Sequence, residues 1–202
     1  MKEIPESILA LRINPALYEK VKGAESFPNP METLLFALSK ASPDGVALEF
    51  GVFSGKTLSV ITQHFPLKSF GFDSFEGLPE DWRDGFPKGT FAMSGFPIVH
   101  GAIIFIGWFQ DTLNKFKDEY NQKISFIHLD ADLYSSTKYV LNGLNERIEP
   151  GCILLFDEFM NYEGFEEHEY RAFNEWCSEF SRVCIPIAYT STHEQMAFLV
   201  QE

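Results

Sequence analysis

The chain has 202 residues and carries 16 basic and 29 acidic side chains, which gives a net charge of −13. A chain this acidic repels phosphate backbones and anionic lipid, so nucleic acid and membranes are not expected as partners. Hydrophobic residues make up 45% of the sequence, which is enough for one substantial core. The length therefore indicates a single domain over residues 1–202.

The cysteines are few and have no motif spacing. Cys152, Cys177 and Cys184 form no C-x-x-C pair, so neither a disulfide framework nor a zinc site is expected. Free thiols predict a reducing, cytoplasmic compartment. The first residues show no signal-peptide pattern, and no apolar stretch reaches the length of a membrane span. The sequence leaves the oligomeric state open, a homo-oligomer included.

The N-terminal region differs from the rest of the chain. Prolines break residues 1–30 into short pieces, and residues 31–41 have the apolar spacing of a helix. A Ser-Pro-Asp-Gly turn at 42–45 then ends that helix. We therefore predict an N-terminal helical arm over 1–45 and a catalytic core over 46–202.

The core alternates short apolar runs with helical segments. Strands are predicted at 46–50, 69–72, 103–106, 124–129 and 152–156, and a C-terminal hairpin at 183–188 and 196–200. Helices are predicted at 55–65, 111–120, 136–148 and 166–180, with a long loop over 74–101. The strands are continuously apolar, which is typical of a parallel sheet covered on both faces. The alternation indicates an α/β, Rossmann-like fold.

Carboxylates stand at or near the ends of four predicted strands. They are Glu49, Asp73, Asp130 with Asp132, and Asp157 with Glu158. Ligands of open α/β sheets bind at the carboxyl ends of the strands, so four acidic ends favour a functional cluster over solvated strand termini.

The loop after the first strand of the core runs from Gly51 to Gly55. It lacks the middle glycine of a dinucleotide loop and has the bulky Phe53 instead, and its glycines are too close for a P-loop. S-adenosylmethionine has no phosphate and tolerates side chains here, and Glu49 offers a carboxylate to its ammonium and sulfonium charges. Asp73, 22 residues beyond Gly51, is placed to accept hydrogen bonds from ribose hydroxyls. A purely structural turn fits the glycines alone equally well.

Five stretches carry a resemblance to a known family. They read ALEFGVFSGKTL, GFDSFEGLPEDW, GWFQDTL, FIHLDADLYSST and LLFDEF. This set resembles the macrocin and mycinamicin sugar O-methyltransferase family over about residues 46–180. The resemblance implies a class I methyltransferase fold with a seven-stranded sheet, S-adenosylmethionine as methyl donor and a bound magnesium ion.

The resemblance also implies roles for the acidic residues. Asp130, Asp157 and Glu158 would hold the metal, and Asp132 would be the general base. Carboxylate ligands suit a hard cation, which can lower the pKa of an acceptor hydroxyl. The family usually has Asp-Asp where this chain has Asp157-Glu158, and the longer glutamate side chain would shift the metal. The chain is also shorter than the sugar-modifying members, which leaves a different acceptor open.

Further residues are candidates for cofactor and acceptor contacts. The expected cofactor contacts are Glu49, Gly51, Phe53, Ser54, Gly55, Thr57, Asp73, Ser74, Trp108 and Asp130. The candidate acceptor contacts are Trp82, Arg83, Phe86, Phe91, Tyr162 and His168, each of which also fits ordinary packing. His128, inside an apolar strand, is expected to be a core histidine with satisfied hydrogen bonds.

These observations favour metal-assisted O-methylation of a hydroxyl on a sugar or other polyhydroxylated small molecule. Two other classes stay open: a nicotinamide-dependent oxidoreductase, which Phe53 and the missing glycine disfavour, and a non-catalytic S-adenosylmethionine-binding module. The full set of acids at the strand ends argues against the latter, because a binding module has no need of them.

Overall fold

The computed structural model describes residues 21–202, so the first 20 residues of the predicted N-terminal arm lie outside the described residues. Eight strands form one sheet in the order β1-β7-β8-β6-β5-β2-β3-β4. Only β8 is antiparallel to its neighbours β6 and β7 within this sheet. The bounds are Glu25–Phe27 (β1), Val46–Phe50 (β2), Ser69–Asp73 (β3), Ala102–Ile106 (β4), Ile124–Leu129 (β5), Ile153–Phe156 (β6), Cys184–Thr190 (β7) and Met196–Val200 (β8).

Helices cover both faces of the sheet. They are Pro30–Lys40 (α1), Lys56–His64 (α2), Phe109–Glu119 (α3), Tyr134–Leu144 (α4) and Glu169–Glu179 (α5). The apolar residues of α3, α4 and α5 share one core cluster with Leu48, whereas those of α1 and Ile61 of α2 share a second cluster with Ala47. Successive strand residues point to opposite faces, and both faces are buried here. This burial is why the strands read as continuous apolar runs.

The predicted seven strands and five helices are all found, with small shifts. The structure adds the three-residue strand β1, which pairs in parallel with β7 at the sheet edge. Helix α3 begins at Phe109 rather than at residue 111, because the carbonyl of Trp108 already accepts the amides of Asp111 and Thr112. Helix α4 ends at Leu144, where a short 3-10 helix follows. Within residues 21–202, no helix has the length and apolarity needed to cross a bilayer.

The strand order reverses at the centre of the sheet. From β2 the chain moves outward through β3 and β4, then returns to place β5 on the other side of β2. Such a switch point leaves a crevice at the carboxyl ends of the strands, because the connections diverge there. The sequence-predicted acids of β2, β3, β5 and β6 all belong to this edge.

Gly51, just after β2, makes the closest backbone approach at this edge, to the carbonyl group of Asp130. Its φ is +95°, and a Cβ built on it would lie 1.8 Å from the carbonyl oxygen of Asp130. The residue therefore has to be glycine for two independent reasons, a left-handed conformation and the close approach of the segment that follows β5.

Replacing Gly51 with alanine should lower the free energy of unfolding by about 2–4 kcal/mol, because left-handed strain adds to the overlap with Asp130. Urea denaturation of Gly51→Ala measures this loss. Gly95→Ala is the matched control, since a Cβ there meets nothing within 4 Å and its φ is not left-handed. The control should change stability by less than about 0.5 kcal/mol. Equal effects of the two variants would contradict the tight packing at Gly51.

Candidate functional site

A cavity of about 460 Å³ opens at the switch point. Its size falls in the range of small-molecule sites, about 300–1,000 Å³. The predicted site residues that line it are Gly51, Phe53, Asp73, Ser74, Trp108, Asp130, Asp132 and Glu158. The predicted residues that are not among its lining are Glu49, Ser54, Gly55, Thr57 and Asp157.

Asp73 organises the cofactor side of the cavity. Its carboxylate accepts the amides of Val52 and Phe53 at 2.8 Å each and the amide of Phe75 at 2.7 Å. Both phenylalanines have a positive φ, so this carboxylate holds two strained turns in place. A carboxylate has about four acceptor positions, so Asp73 keeps capacity for a ligand hydroxyl.

Glu49 and His128 differ from the expectations. Glu49 is fully buried, and its Oε1 lies 3.0 Å from Nδ1 of His128 instead of facing the cavity. The second ring nitrogen of His128, Nε2, is buried without a hydrogen-bond partner and lies 3.5 Å from Oδ1 of Asp157. The prediction that His128 is a core histidine is confirmed by its burial, but its hydrogen bonds are satisfied only at Nδ1.

The second group of acids lies beside the cavity. One carboxylate oxygen from each of Asp130, Asp132 and Glu158 lies within 4.8 Å of the other two. Asp132 has a φ of +59°, and the amide of Leu133 donates to the carbonyl of Ala131 across it. This three-residue turn swings the Asp132 carboxylate back towards Asp130.

Burial and crowding shift the pKa values of these acids. Burial is the largest cause in each case, and it raises the pKa of Asp130 and of Glu158 well above the ordinary range, with Asp157 adding to both shifts. Burial and Asp157 also raise the pKa of Asp132 to about 7. The cluster therefore lacks positive charge, and protons or a cation have to supply it.

Asp157 is the exception. Burial pushes its pKa up, but the imidazole of His128, whose Nε2 lies 3.5 Å from Oδ1, outweighs this and holds the pKa below its ordinary value. The side-chain amide of Gln195 also donates to Oδ1 of Asp157. The pKa of His128 is correspondingly raised: burial lowers it, but Asp157 and Glu49 raise it by more.

Glu169 joins the two acid-bearing segments and was not predicted from the sequence. It lies fully buried at the start of α5 and accepts the amide of Glu158 at 3.1 Å and the hydroxyl of Thr137 at 3.2 Å. Burial raises its pKa to about 8, although the backbones of Glu158 and Ala131 oppose the shift. A glutamate in the first turn of a helix usually faces solvent, so no local signal distinguished it.

The acceptor side is an aromatic wall held by an ion pair. Arg83 makes two hydrogen bonds to the carboxylate of Glu194, at 3.0 and 3.1 Å. Its guanidinium lies 4.0 Å from the ring centroid of Trp82 and 4.3 Å from that of Tyr162. Of the predicted acceptor contacts, Trp82, Arg83, Phe86 and Phe91 line the cavity, while Tyr162 and His168 pack behind Trp82. Glu194 lies between the two strands of the predicted C-terminal hairpin and was not predicted as a site residue.

Comparison with known proteins identifies a related family. The sequence model of the Macrocin-O-methyltransferase (TylF) family matches residues 92–186, a range that includes the segments with Asp130, Asp132, Asp157 and Glu158. The resemblance to the macrocin O-methyltransferase family is confirmed. Three of the five family-like stretches lie inside the matched range, and the glycine loop and the Asp73 stretch precede it.

A relative of known activity is similar over much of the chain. It is the 8-demethyl-8-(2,3-dimethoxy-alpha-L-rhamnosyl)-tetracenomycin-C 4'-O-methyltransferase of Streptomyces olivaceus, which is 27% identical over 160 residues. The match covers 64% of this chain and spans 59% of that enzyme's length.

Solved structures share the fold. The calicheamicin methyltransferase CalS11 superposes with a TM-score of 0.67 at 19% identity, over 99% of this chain and 94% of that one. The O-methyltransferase TomG of Streptomyces achromogenes, solved in complex with S-adenosylmethionine, gives 0.54 at 14% identity, over 100% and 92%. The chain therefore has the class I methyltransferase fold. This is the fold that the resemblance to the macrocin O-methyltransferase family implies.

The acid cluster predicts that the metal-free protein loses stability as the pH rises. Asp132 and Glu169 have pKa values raised to about 7 and about 8, so the folded state holds more protons than the unfolded state between pH 5 and 8. The raised pKa of His128 acts in the same direction, and the lowered pKa of Asp157 acts oppositely only below about pH 4. The melting temperature in EDTA should fall by at least about 4 °C from pH 5.5 to 8.

Two comparisons sharpen this measurement. Mg²⁺ should recover part of the loss at pH 8, because a cation replaces the missing positive charge. Glu169→Gln, which removes one ionisable group, should flatten the slope in EDTA. A melting temperature that stays level or rises over this range would contradict the described charge balance.

Proposed function

We propose that this protein is an S-adenosylmethionine-dependent O-methyltransferase that methylates a hydroxyl of a sugar or another polyhydroxylated small molecule with the help of a divalent cation such as Mg²⁺. One observation carries the proposal. One carboxylate oxygen from each of Asp130, Asp132 and Glu158 lies within 4.8 Å of the other two, and these residues line the same cavity as the glycine loop and Asp73. Methyl transfer to oxygen needs such an arrangement, with the donor and a base facing one acceptor atom.

S-adenosylmethionine is the cofactor that fits the glycine-loop side of the cavity. Phe53 lines the cavity where a dinucleotide loop would place a backbone against a pyrophosphate, which disfavours a nicotinamide cofactor. Asp73 lies at the end of β3, where it can accept ribose hydroxyls, and Trp108 stands beside it in the cavity wall, available to pack on adenine. The cofactor-bound structure of TomG supports the same choice.

The acidic segments fit a hard divalent cation. Glu158 Oε2 is buried without a hydrogen-bond partner, which is the state of a carboxylate oxygen that awaits a ligand. Asp130 belongs to both groups of close ligand atoms, one with Asp132 and Glu158 and one with His128 and Asp157. Asp130, Asp157 and Glu158 would hold the ion, since oxygen donors suit Mg²⁺. When bound, the ion would lower the pKa of an acceptor hydroxyl.

Residues of this chain then remove the proton of the acceptor hydroxyl and position the methyl donor. The Asp132 carboxylate takes the proton of the acceptor hydroxyl while that oxygen forms a bond to the methyl carbon. The carbon–sulfur bond breaks, and S-adenosylhomocysteine leaves with the electron pair. Asp73 and the glycine loop hold the donor, and Glu169 keeps the segments of Asp132 and Glu158 in register.

The acceptor class is supported by the aromatic residues that line the cavity together with the acids. Trp82, Phe86 and Phe91 give the cavity an apolar, aromatic side against which the faces of a sugar or a glycoside can pack. The rhamnosyl-directed name of the Streptomyces olivaceus relative points to the same class. We also place the enzyme in the cytoplasm, whose reducing environment suits the buried thiol of Cys152.

Asp132→Asn should lower kcat by about 10²–10⁴-fold, because the amide keeps the shape but cannot take the proton. Calorimetry should give nearly unchanged affinities for S-adenosylhomocysteine and Mg²⁺. Turnover is followed as S-adenosylhomocysteine release with a panel of rhamnosides and related glycosides.

Asp130→Asn is the matched comparison, two residues away on the same segment. It should lose Mg²⁺ affinity together with rate, because Asp130 is proposed to touch the ion. If Asp132→Asn releases the ion while Asp130→Asn keeps it, the two roles are exchanged. Full activity of Asp132→Asn would remove the general base from the proposal.

A further inference from the structure

A second group of donors lies next to the acids of the proposed reaction. Glu49 and His128 are paired neighbours on β2 and β5, and Asp130 follows His128 by two residues, so the three side chains leave the same face of the sheet. Ligand atoms of His128, Asp130 and Asp157 all lie within 4.8 Å of one another. Two of these residues belong to the proposed metal set, and His128 does not.

The His128 ring is oriented in the way that protein metal sites use. Its Nδ1 is fixed by the Glu49 carboxylate at 3.0 Å, and Glu49 is fully buried with no other partner for its second oxygen. Its Nε2 is buried without a hydrogen bond and faces Asp157 at 3.5 Å. Histidine ligands of metals commonly donate their other ring N–H to a carboxylate, which fixes the tautomer and strengthens the free nitrogen as a donor.

Burying this arrangement without a cation leaves it incomplete. Three carboxylates surround one imidazole, and both Nε2 of the buried His128 and one oxygen of the buried Glu49 have no hydrogen-bond partner. Buried polar atoms are normally satisfied, so the unpartnered Nε2 is itself an indication of a ligand. Gln195, through its bond to Asp157, holds the third donor in position from the β7–β8 turn.

We propose that His128, Asp130 and Asp157 form a mixed nitrogen–oxygen cation site, which binds a transition-metal ion such as Mn²⁺ or Co²⁺ more tightly than Mg²⁺. Mg²⁺ is bound through oxygen and retains its waters, whereas imidazole suits the later divalent metals. The inference rests on the proposed function only in so far as Asp130 and Asp157 face a cation. It adds a nitrogen ligand and a metal preference to that site.

The decisive test uses the wild-type protein loaded with Mn²⁺. Pulsed electron paramagnetic resonance should show the coupling of a directly bound imidazole nitrogen. Calorimetry of the same protein should give a Co²⁺ affinity at least about tenfold higher than that for Mg²⁺. A Mn²⁺ spectrum without nitrogen coupling would overturn the proposal and leave His128 as the cation that bridges Glu49 and Asp157.

Two variants locate the effect. His128→Gln should lose the nitrogen coupling and lower Co²⁺ affinity by at least about tenfold, while changing Mg²⁺ affinity far less. Glu158→Gln removes a proposed oxygen ligand but no nitrogen, so it should weaken ion binding, while the Mn²⁺ that still binds at saturating concentration keeps the coupling. If Mg²⁺ binds but nitrogen coupling is absent, only this inference fails. If no divalent ion binds the wild-type protein, the cation dependence of the proposed function fails as well.

Discussion

Five carboxylates crowd the carboxyl ends of β2, β5 and β6, and burial strengthens their mutual repulsion. They belong to Glu49, Asp130, Asp132, Asp157 and Glu158. His128 compensates part of this charge between Glu49 and Asp157. The remaining acids have raised pKa values, which is the signature of a site that is stable only when protons or a cation occupy it. The cavity, the supporting contacts and the proposed chemistry all depend on this charge imbalance.

The fold holds these groups together through long-range contacts. The parallel pairing of β2 with β5 and of β5 with β6 places the acids side by side, and the switch point keeps the crevice open. The buried carboxylate of Glu169 accepts hydrogen bonds from the amide of Glu158 and the hydroxyl of Thr137, which links these two segments. The β7–β8 turn contributes Glu194 to Arg83 and Gln195 to Asp157, so the acceptor wall and the acids share one support.

Much of this architecture follows from local sequence. Apolar runs that alternate with helical spacing predict the sheet and its helices, and acids at strand ends predict the cluster, because parallel strands end at one edge. The partners that complete the site do not follow. Glu169 and Gln195 act across 11 and 38 residues, respectively, so nothing near them in sequence indicates the contact. β1 is only three residues long and pairs with a distant strand, so it has no periodicity to detect.

We propose that these acids bind a cation and activate a hydroxyl for methylation. The most direct measurement follows S-adenosylhomocysteine formation from S-adenosylmethionine with a panel of hydroxylated glycosides, in EDTA and after Mg²⁺ or Mn²⁺ is restored. We expect at least one glycoside to be methylated. EDTA should abolish this turnover and a divalent ion should restore it, with the affinity for S-adenosylmethionine unchanged throughout. Full turnover in EDTA would contradict the cation's role, and binding of S-adenosylmethionine without transfer to any hydroxyl would contradict the proposed O-methylation.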